Sequence, residues 1–334
     1  MDQFFRPASG LGHPHVQTIF PRYHRRKPLV IDRSRERYAL PDGDELLLDH
    51  HIPSAIPPEA MHVLIVHGLS GSSSSHYVLG LQIVLSQMGW PSTAMNSRGA
   101  VEPNRKVRAY HAGHGDDIDD LVRKSFAREG RPIAIVGYSI GGSMTLHAMQ
   151  KLSGFPGLAA AVVVSVPWDF PQCANRMRRG FSRIYTRVIL GELIEQFQAK
   201  ANFLRSLGND DGAALIESKL ALGPFSDFWE FDDRVVAPLH GFKDVHDYYA
   251  QSSPKRLLKT VNVPMLAIHA ADDPFMTPDV IPGATDLSPH VTLEASPKGG
   301  HVGFIAGSIR KPVYYLEQRI PAYLREIQRR RTRD

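Results

Sequence analysis

IAIVGYSIGGSMTLHAM, residues 133–149, changes its periodicity around one serine. Ile133–Val136 is a short apolar run of the kind that forms a strand buried on both faces. From about Gly141 to Leu152 the pattern is helical. Between the two, Gly137-Tyr138-Ser139-Ile140-Gly141 spells G-x-S-x-G, with a strand before it and a helix after it. A serine at the apex of so sharp a turn takes a strained backbone conformation that points its hydroxyl out above the sheet. Side chains at 137 and 141 would collide with the neighbouring strand and helix, so glycine stands at both, and Gly142 adds clearance. The helix N-terminus behind Ser139 supplies free N–H groups and a partial positive charge, which suits a negative oxygen forming there. The plainer alternative is a glycine-rich turn without chemistry; the flanking strand and helix favour the catalytic reading.

Strand–helix alternation runs outward from this turn in both directions. Upstream, strands at Arg37–Leu40 and Glu45–His51 flank the tight-turn sequence PDGD. MHVLIVHG (61–68) reads as a central strand, Tyr77–Met88 as a helix and Ser92–Asn96 as a strand. HGDDIDDLVRKSFAREG (114–130) reads as a helix with acids early and bases late, ended by Gly130. Downstream, Ala160–Val166 is a strand, after which the alternation breaks. It resumes with strands in VPMLAIHA (263–270) and HVTLEAS (290–296), then a last helix near Pro312–Gln328. The pattern predicts an α/β fold: a mostly parallel central sheet flanked by helices. The break predicts a helical cap insertion at 169–250, carried by a core of 1–168 and 251–334.

The chain has 334 residues, 43% hydrophobic and 22% charged, enough for one large domain or a domain with an insertion. No apolar window of about 18 residues appears, so no transmembrane helix is expected. The N-terminus MDQFFRPASG lacks the pattern of a secretory signal. With a single cysteine, Cys173, no internal disulfide can form, which points to a reducing, cytoplasmic location. The formal charge is +5, part of it in RYHRRK (22–27) and QRRRTRD (328–334). These runs read as solvated tails, with peripheral attraction to an anionic membrane as the sharper alternative. RMRRGFSR (176–183) reads as a solvated helix face with an aromatic anchor. No zinc-finger, homeodomain or RNA-recognition signature accompanies the charge, so a nucleic-acid partner is not expected.

A serine hydroxyl is a poor nucleophile at neutral pH and needs a base, which in turn needs an orienting acid. The chain order Ser, acid, His fits two later sites. LAIHAADDPFM (266–276) puts Asp272 and Asp273 just past a strand, and VTLEASPKGGHVGF (291–304) puts His301 past the next one. From spacing alone either aspartate can face the histidine, the other capping the turn or the next helix. The oxyanion donors expected are the N–H of Ile140, next after the nucleophile, and that of Leu69, in the loop after the strand 62–66. His67 offers a second base, but at a strand end it is read as shaping that loop. YHAGHGDD (110–117) gathers His111, His114, Asp116 and Asp117. It lacks a four-ligand set and is read as a loop entering a helix, not as a metal site. GLSG (68–71) is not a phosphate-binding loop, and no cofactor is expected.

At this point the sequence resembles the α/β-hydrolase superfamily, and within it the bacterial YheT-type hydrolases and the eukaryotic abhydrolase-domain esterases and lipases. The matching stretches are GHPHVQTIFPR (12–22), HGLSGSSSS (67–75), RGAVEPNR (98–105), GYSIGG (137–142), GFSRIYTRVIL (180–190), EFDDRVVAPLHGF (230–242), DDPFM (272–276) and GGHVGF (299–304). The resemblance implies a cofactor-free serine hydrolase of carboxylic esters with the triad Ser139, Asp273 and His301, and it is the resemblance that selects Asp273. Its substrate would be a small-molecule ester with an apolar acyl or alcohol group. A thioesterase or acyltransferase would use the same serine, and a ligand-binding protein without turnover could use the same fold. RGAVEPNR is one residue shorter than the pattern usual in relatives, and His13 stands where they often have Asn. The first departure is expected to reshape the pocket rim.

Overall fold

The computed structural model describes residues 5–25 and 29–332. Its strands are β1 (Ser34–Ala39), β2 (Glu45–His51), β3 (His62–Val66), β4 (Ser92–Asn96), β5 (Ile133–Tyr138), β6 (Leu158–Val164), β7 (Met265–Ala270), β8 (Val291–Ser296) and the short β9 (Ile305–Gly307) and β10 (Pro312–Tyr314). The first eight form one sheet in the order β1-β2-β4-β3-β5-β6-β7-β8. β1 and β2 pair antiparallel, as do β2 and β4; every pair from β4 onward is parallel. β5, which carries the serine turn, therefore lies near the middle, where every residue of β3, β5 and β6 is buried. That is why these strands read as continuous apolar runs.

The two faces of the sheet are covered by different helices, as the two-residue strand period requires. Ile133 and Ile135 pack in one apolar cluster with residues of α3 (Asp116–Glu129) and α4 (Ile140–Lys151). Ala134, Val136 and Tyr138 pack in the other with α2 (His76–Gln87) and the last helix, Tyr315–Arg331. α1 (Pro14–His24) precedes the sheet. Between β6 and β7 lie α5 (Phe170–Met177), α6 (Ser182–Ser206), α7 (Asp210–Leu220), α8 (Phe228–Phe231), a π-helical turn (Asp232–Val236), α9 (Ala237–His240) and α10 (Val245–Ser252); Tyr315–Arg331 is α11. Buried side chains of this helical segment, among them Phe197, Leu204, Phe231 and Tyr249, belong to the same apolar cluster as α3 and α4.

Four sequence expectations need correction. β1 begins at Ser34, because its polar residues pair in register with β2 from Glu45 to His50, Ser34 opposite His50. Pro312–Tyr314 is not helix but a strand paired with β9, and α11 starts only at Tyr315. RMRRGFSR is not one helix face: the chain turns at Gly180 (φ +54°) between α5 and α6, and Phe181 is exposed. Arg25 is no solvated tail residue. Its guanidinium grips Glu317 at 2.5 and 2.8 Å and lies 3.3 Å over the Tyr314 ring, so the basic run ties α1 to α11. Residues 26–27 of that run and 333–334 of the C-terminal one lie outside the described residues.

α11 packs its apolar stripe against the sheet, and that packing is testable. Leu324 is fully buried against the sheet and Glu326 is exposed. Leu324→Ala should cost about 2–5 kcal/mol in urea unfolding, while Glu326→Ala should stay within about 0.5 kcal/mol.

Candidate active site

β5 ends at Tyr138 and α4 begins at Ile140, so one residue makes the whole turn. Ser139 has φ +53° and ψ −123°, a conformation that costs an L-residue on the order of 1–3 kcal/mol. The neighbours hold it there. Ser139 N–H donates to Val164 O at 2.8 Å, and Gly142 N–H returns to Ser139 O at 2.9 Å. A Cβ at Gly141 would sit 2.6 Å from Val66 O and closer still to His67 O; one at Gly137 would sit 2.6 Å from Gly141 O. Both glycines are therefore demanded by backbone contact with the end of β3 and the start of α4.

The loop after β3 is packed against this turn: a Cβ at Gly68 would lie 3.1 Å from the Ser139 Cβ. Two tyrosine hydroxyls fix its amides. Gly68 N–H donates to Tyr77 Oη and Ser70 N–H to Tyr110 Oη, both at 3.0 Å. Among the described residues, the intervening Leu69 N–H has no hydrogen-bond partner, and neither has Ile140 N–H at the head of α4. His67 is held as a neutral ring. Its Nε2 accepts Ser97 N–H at 3.1 Å, so Nδ1 carries the proton and donates to Gly68 O at 2.7 Å. Complete burial lowers its pKa to about 4. It shapes the loop and has no free lone pair for a base.

His301 and the two aspartates come from the loops after β8 and β7. The structure brings three of the expected residues into one line. His301 Nε2 lies 3.0 Å from Ser139 Oγ, and His301 Nδ1 lies 2.8 Å from Asp273 Oδ2. The other oxygen of Asp273, a buried residue, accepts Phe275 N–H at 2.8 Å. Asp272 faces elsewhere. It caps neither its own turn nor a following helix; Oδ1 accepts Gly300 N–H at 2.9 Å and so ties the β7 loop to the histidine loop. Burial raises the Asp272 pKa, while hydrogen bonds from Gly300 and Gly299 oppose the rise.

Three supporting residues carried no recognisable sequence signal. Phe275 stacks on the His301 ring, centroids 4.0 Å apart and planes 11° from parallel. Tyr77 and Tyr110 read from sequence only as apolar residues of a helix and a loop. Arg98 is a fourth, structural case. It is buried, with bidentate bonds of 2.8 and 2.6 Å to Asp117 and further contacts to Asp42 and Asp44. RGAVEPNR is thus anchored at Arg98, and again at Asn104, which donates to Asp44. The same contacts dispose of the metal constellation. Asp117 is bound by Arg98, Asp116 pairs with Lys151 at 2.7 Å, and His111 packs against His240. Among the described residues no group of three or more His, Cys, Asp or Glu is placed to hold a metal ion.

A mostly parallel sheet with a strained serine, a carboxylate and an imidazole on the loops after β5, β7 and β8 defines a class, the α/β hydrolases. The chain belongs to that family: residues 61–308 match the model of the α/β hydrolase fold. It is 38% identical over 325 residues to YheT of Escherichia coli (strain K12), covering 96% of this chain and 92% of that one. It is 27% identical over 315 residues to the phospholipase ABHD3 of Mus musculus, covering 90% and 73%. The crystal structure of a soluble variant of monoglyceride lipase from Saccharomyces cerevisiae shares the fold, with a TM-score of 0.54 at 14% identity over 91% of this chain and 98% of that one. By sequence the chain falls in an α/β-hydrolase family whose members include proteins named as esterases and lipases. No helix among the described residues is long and apolar enough to cross a membrane.

Four histidines, His67 and His269 buried and His76 and His111 half-buried, set an acid limit on the fold. Burial lowers the pKa of His67, His76 and His269 to about 4 and of His111 to about 3. Each binds its proton in the unfolded chain near pH 6.5 but not in the fold. Their contribution is therefore intact above pH 6.5 and lost as pH falls toward 4, at up to about 1.4 kcal/mol per unit for each. Melting temperature should fall steeply over that window; a flat profile from pH 6.5 to 4 would contradict the burial.

Proposed function

We propose that this protein is a serine esterase that cleaves carboxylic esters through an acyl-enzyme on Ser139. The observation that carries the reading is the unbroken chain Ser139 Oγ, His301, Asp273, at 3.0 and 2.8 Å, within the range for proton transfer. His301 Nε2 takes the hydroxyl proton as Oγ attacks the acyl carbon. Asp273 holds the Nδ1–H tautomer and stabilises the imidazolium that forms. Leu69 and Ile140 N–H groups receive the tetrahedral oxyanion, a role supported by their lack of any other partner. The alcohol leaves with the proton from His301, and water then repeats the sequence on the acyl-enzyme. No cofactor enters any step.

Residues 169–250 are read as a cap over this site. In support, Ser182 Oγ at the start of α6 donates to Pro274 O, next to Asp273, and Tyr185 packs 4.9 Å from Phe275. Leu69 in the loop packed against the serine turn, Phe275 on the His301 ring and Tyr185 against Phe275 favour an ester with an apolar acyl or alcohol group. Buried Cys173 as the single thiol fits a reducing, cytoplasmic setting.

p-Nitrophenyl esters of increasing chain length test the assignment. Ser139→Ala should lose activity on the order of 10⁶-fold in kcat. Asp273→Asn should lose about 10⁴-fold, and Asp272→Asn much less. Full turnover by Ser139→Ala would overturn the reading. Product analysis in added alcohol separates hydrolysis from acyl transfer.

A further inference from the structure

The GHPHVQT stretch at 12–18 takes no part in the chemistry proposed above, yet it is built into the histidine loop. That loop, 299–304, which leads into β9, is irregular backbone, with Gly300, Val302 and Phe304 all at positive φ (+61°, +55°, +48°). Without secondary structure its N–H groups must find other acceptors. Gly300 donates to Asp272, Val302 to Ser165 Oγ at 3.1 Å, and Phe304 to Gly299 O at 3.0 Å. Two further donors, His301 on the loop and Ile305 at the start of β9, go to α1. His301 N–H donates to Thr18 Oγ1 at 2.9 Å, and Ile305 N–H to Gln17 Oε1 at 2.7 Å.

α1 is shaped for this. Gln17, fully buried, also donates to Leu11 O and Ile305 O at 2.8 and 3.1 Å, so one amide links the N-terminal segment to the far end of the loop. Thr18 donates its own proton to Pro14 O at 2.8 Å, which leaves a lone pair for His301 N–H. The loop lies directly on the helix: a Cβ at Gly300 would meet Pro14 O at 2.6 Å and Thr18 Oγ1 at 2.8 Å, and one at Gly303 would meet the Gln17 carbonyl. These contacts demand the two glycines on either side of the histidine.

We propose that Thr18 is a positioning residue for His301: the α1 hydroxyl holds the histidine's main chain where Asp273 and Phe275 orient its ring. The proposal rests on the Ser139–His301–Asp273 reading. Its consequence is catalytic, because a displacement of about 1 Å at the base costs on the order of 100-fold in rate.

The test compares the full-length protein with Thr18→Val, Thr18→Ser and Thr18→Ala in p-nitrophenyl butyrate hydrolysis, with melting curves for each. Valine keeps the shape and removes the acceptor. The expected result is a folded Thr18→Val with KM within about twofold and kcat lower by roughly 10- to 100-fold, with Thr18→Ser restored to near the parent. Parental kcat in folded Thr18→Val, or a Thr18→Ser as slow as the valine variant, overturns the proposal. If the valine variant does not fold, Thr18→Ala answers the same question, and parental kcat there overturns it equally. A parent no faster than Ser139→Ala would be a different failure, that of the underlying triad reading, and would take this proposal with it.

Discussion

Ser139 is held at φ +53° by backbone packed against backbone, and the rest of the site depends on that contact. The start of α4 touches the carbonyls at the end of β3 through Gly141, with no side chain between them. This brings the loop carrying Leu69 beside the serine and leaves the first amide of α4 free. A larger residue at 141 would push Ser139, together with the Ile140 amide, away from the loop that carries Leu69. The strain at Ser139 is small against the packing that imposes it, because β3, β5 and β6 are buried along their whole lengths.

The histidine presents the opposite problem. Ser139 sits between two regular elements, whereas His301 sits on a loop that has none. Its position is determined by side chains reaching in from elsewhere: Asp272 from the β7 loop, Ser165 from the end of β6, Gln17 and Thr18 from α1. Phe275 then fixes the ring by stacking. The two halves of the site are thus held by different physics, one by close approach of main chain and the other by a set of directional hydrogen bonds.

That division explains what could be read from the sequence. The central strands and the serine turn were legible because their information is local: apolar runs, glycines at fixed offsets, a helix pattern following. His301 was legible from its place after a strand and its glycine pair. The aspartates were not separable by spacing, since both follow β7 within three residues; the resemblance selected Asp273, and in the fold Asp273 meets the imidazole ring and Asp272 the loop backbone. Thr18, Tyr77, Tyr110 and Arg98 were invisible as partners, because each acts on a segment remote in sequence. β10 reads from sequence as the start of the last helix for the same reason: what makes Pro312–Tyr314 a strand is its partner, not its composition.

The central claim is that the turn exposes an activated serine. Intact-protein mass after incubation with a fluorophosphonate tests it most directly, with Ser139→Ala alongside. The account predicts a single adduct on the parent, mapping to Ser139, and none on the variant. A well-folded parent that acquires no adduct, or one that maps to another residue, would contradict it.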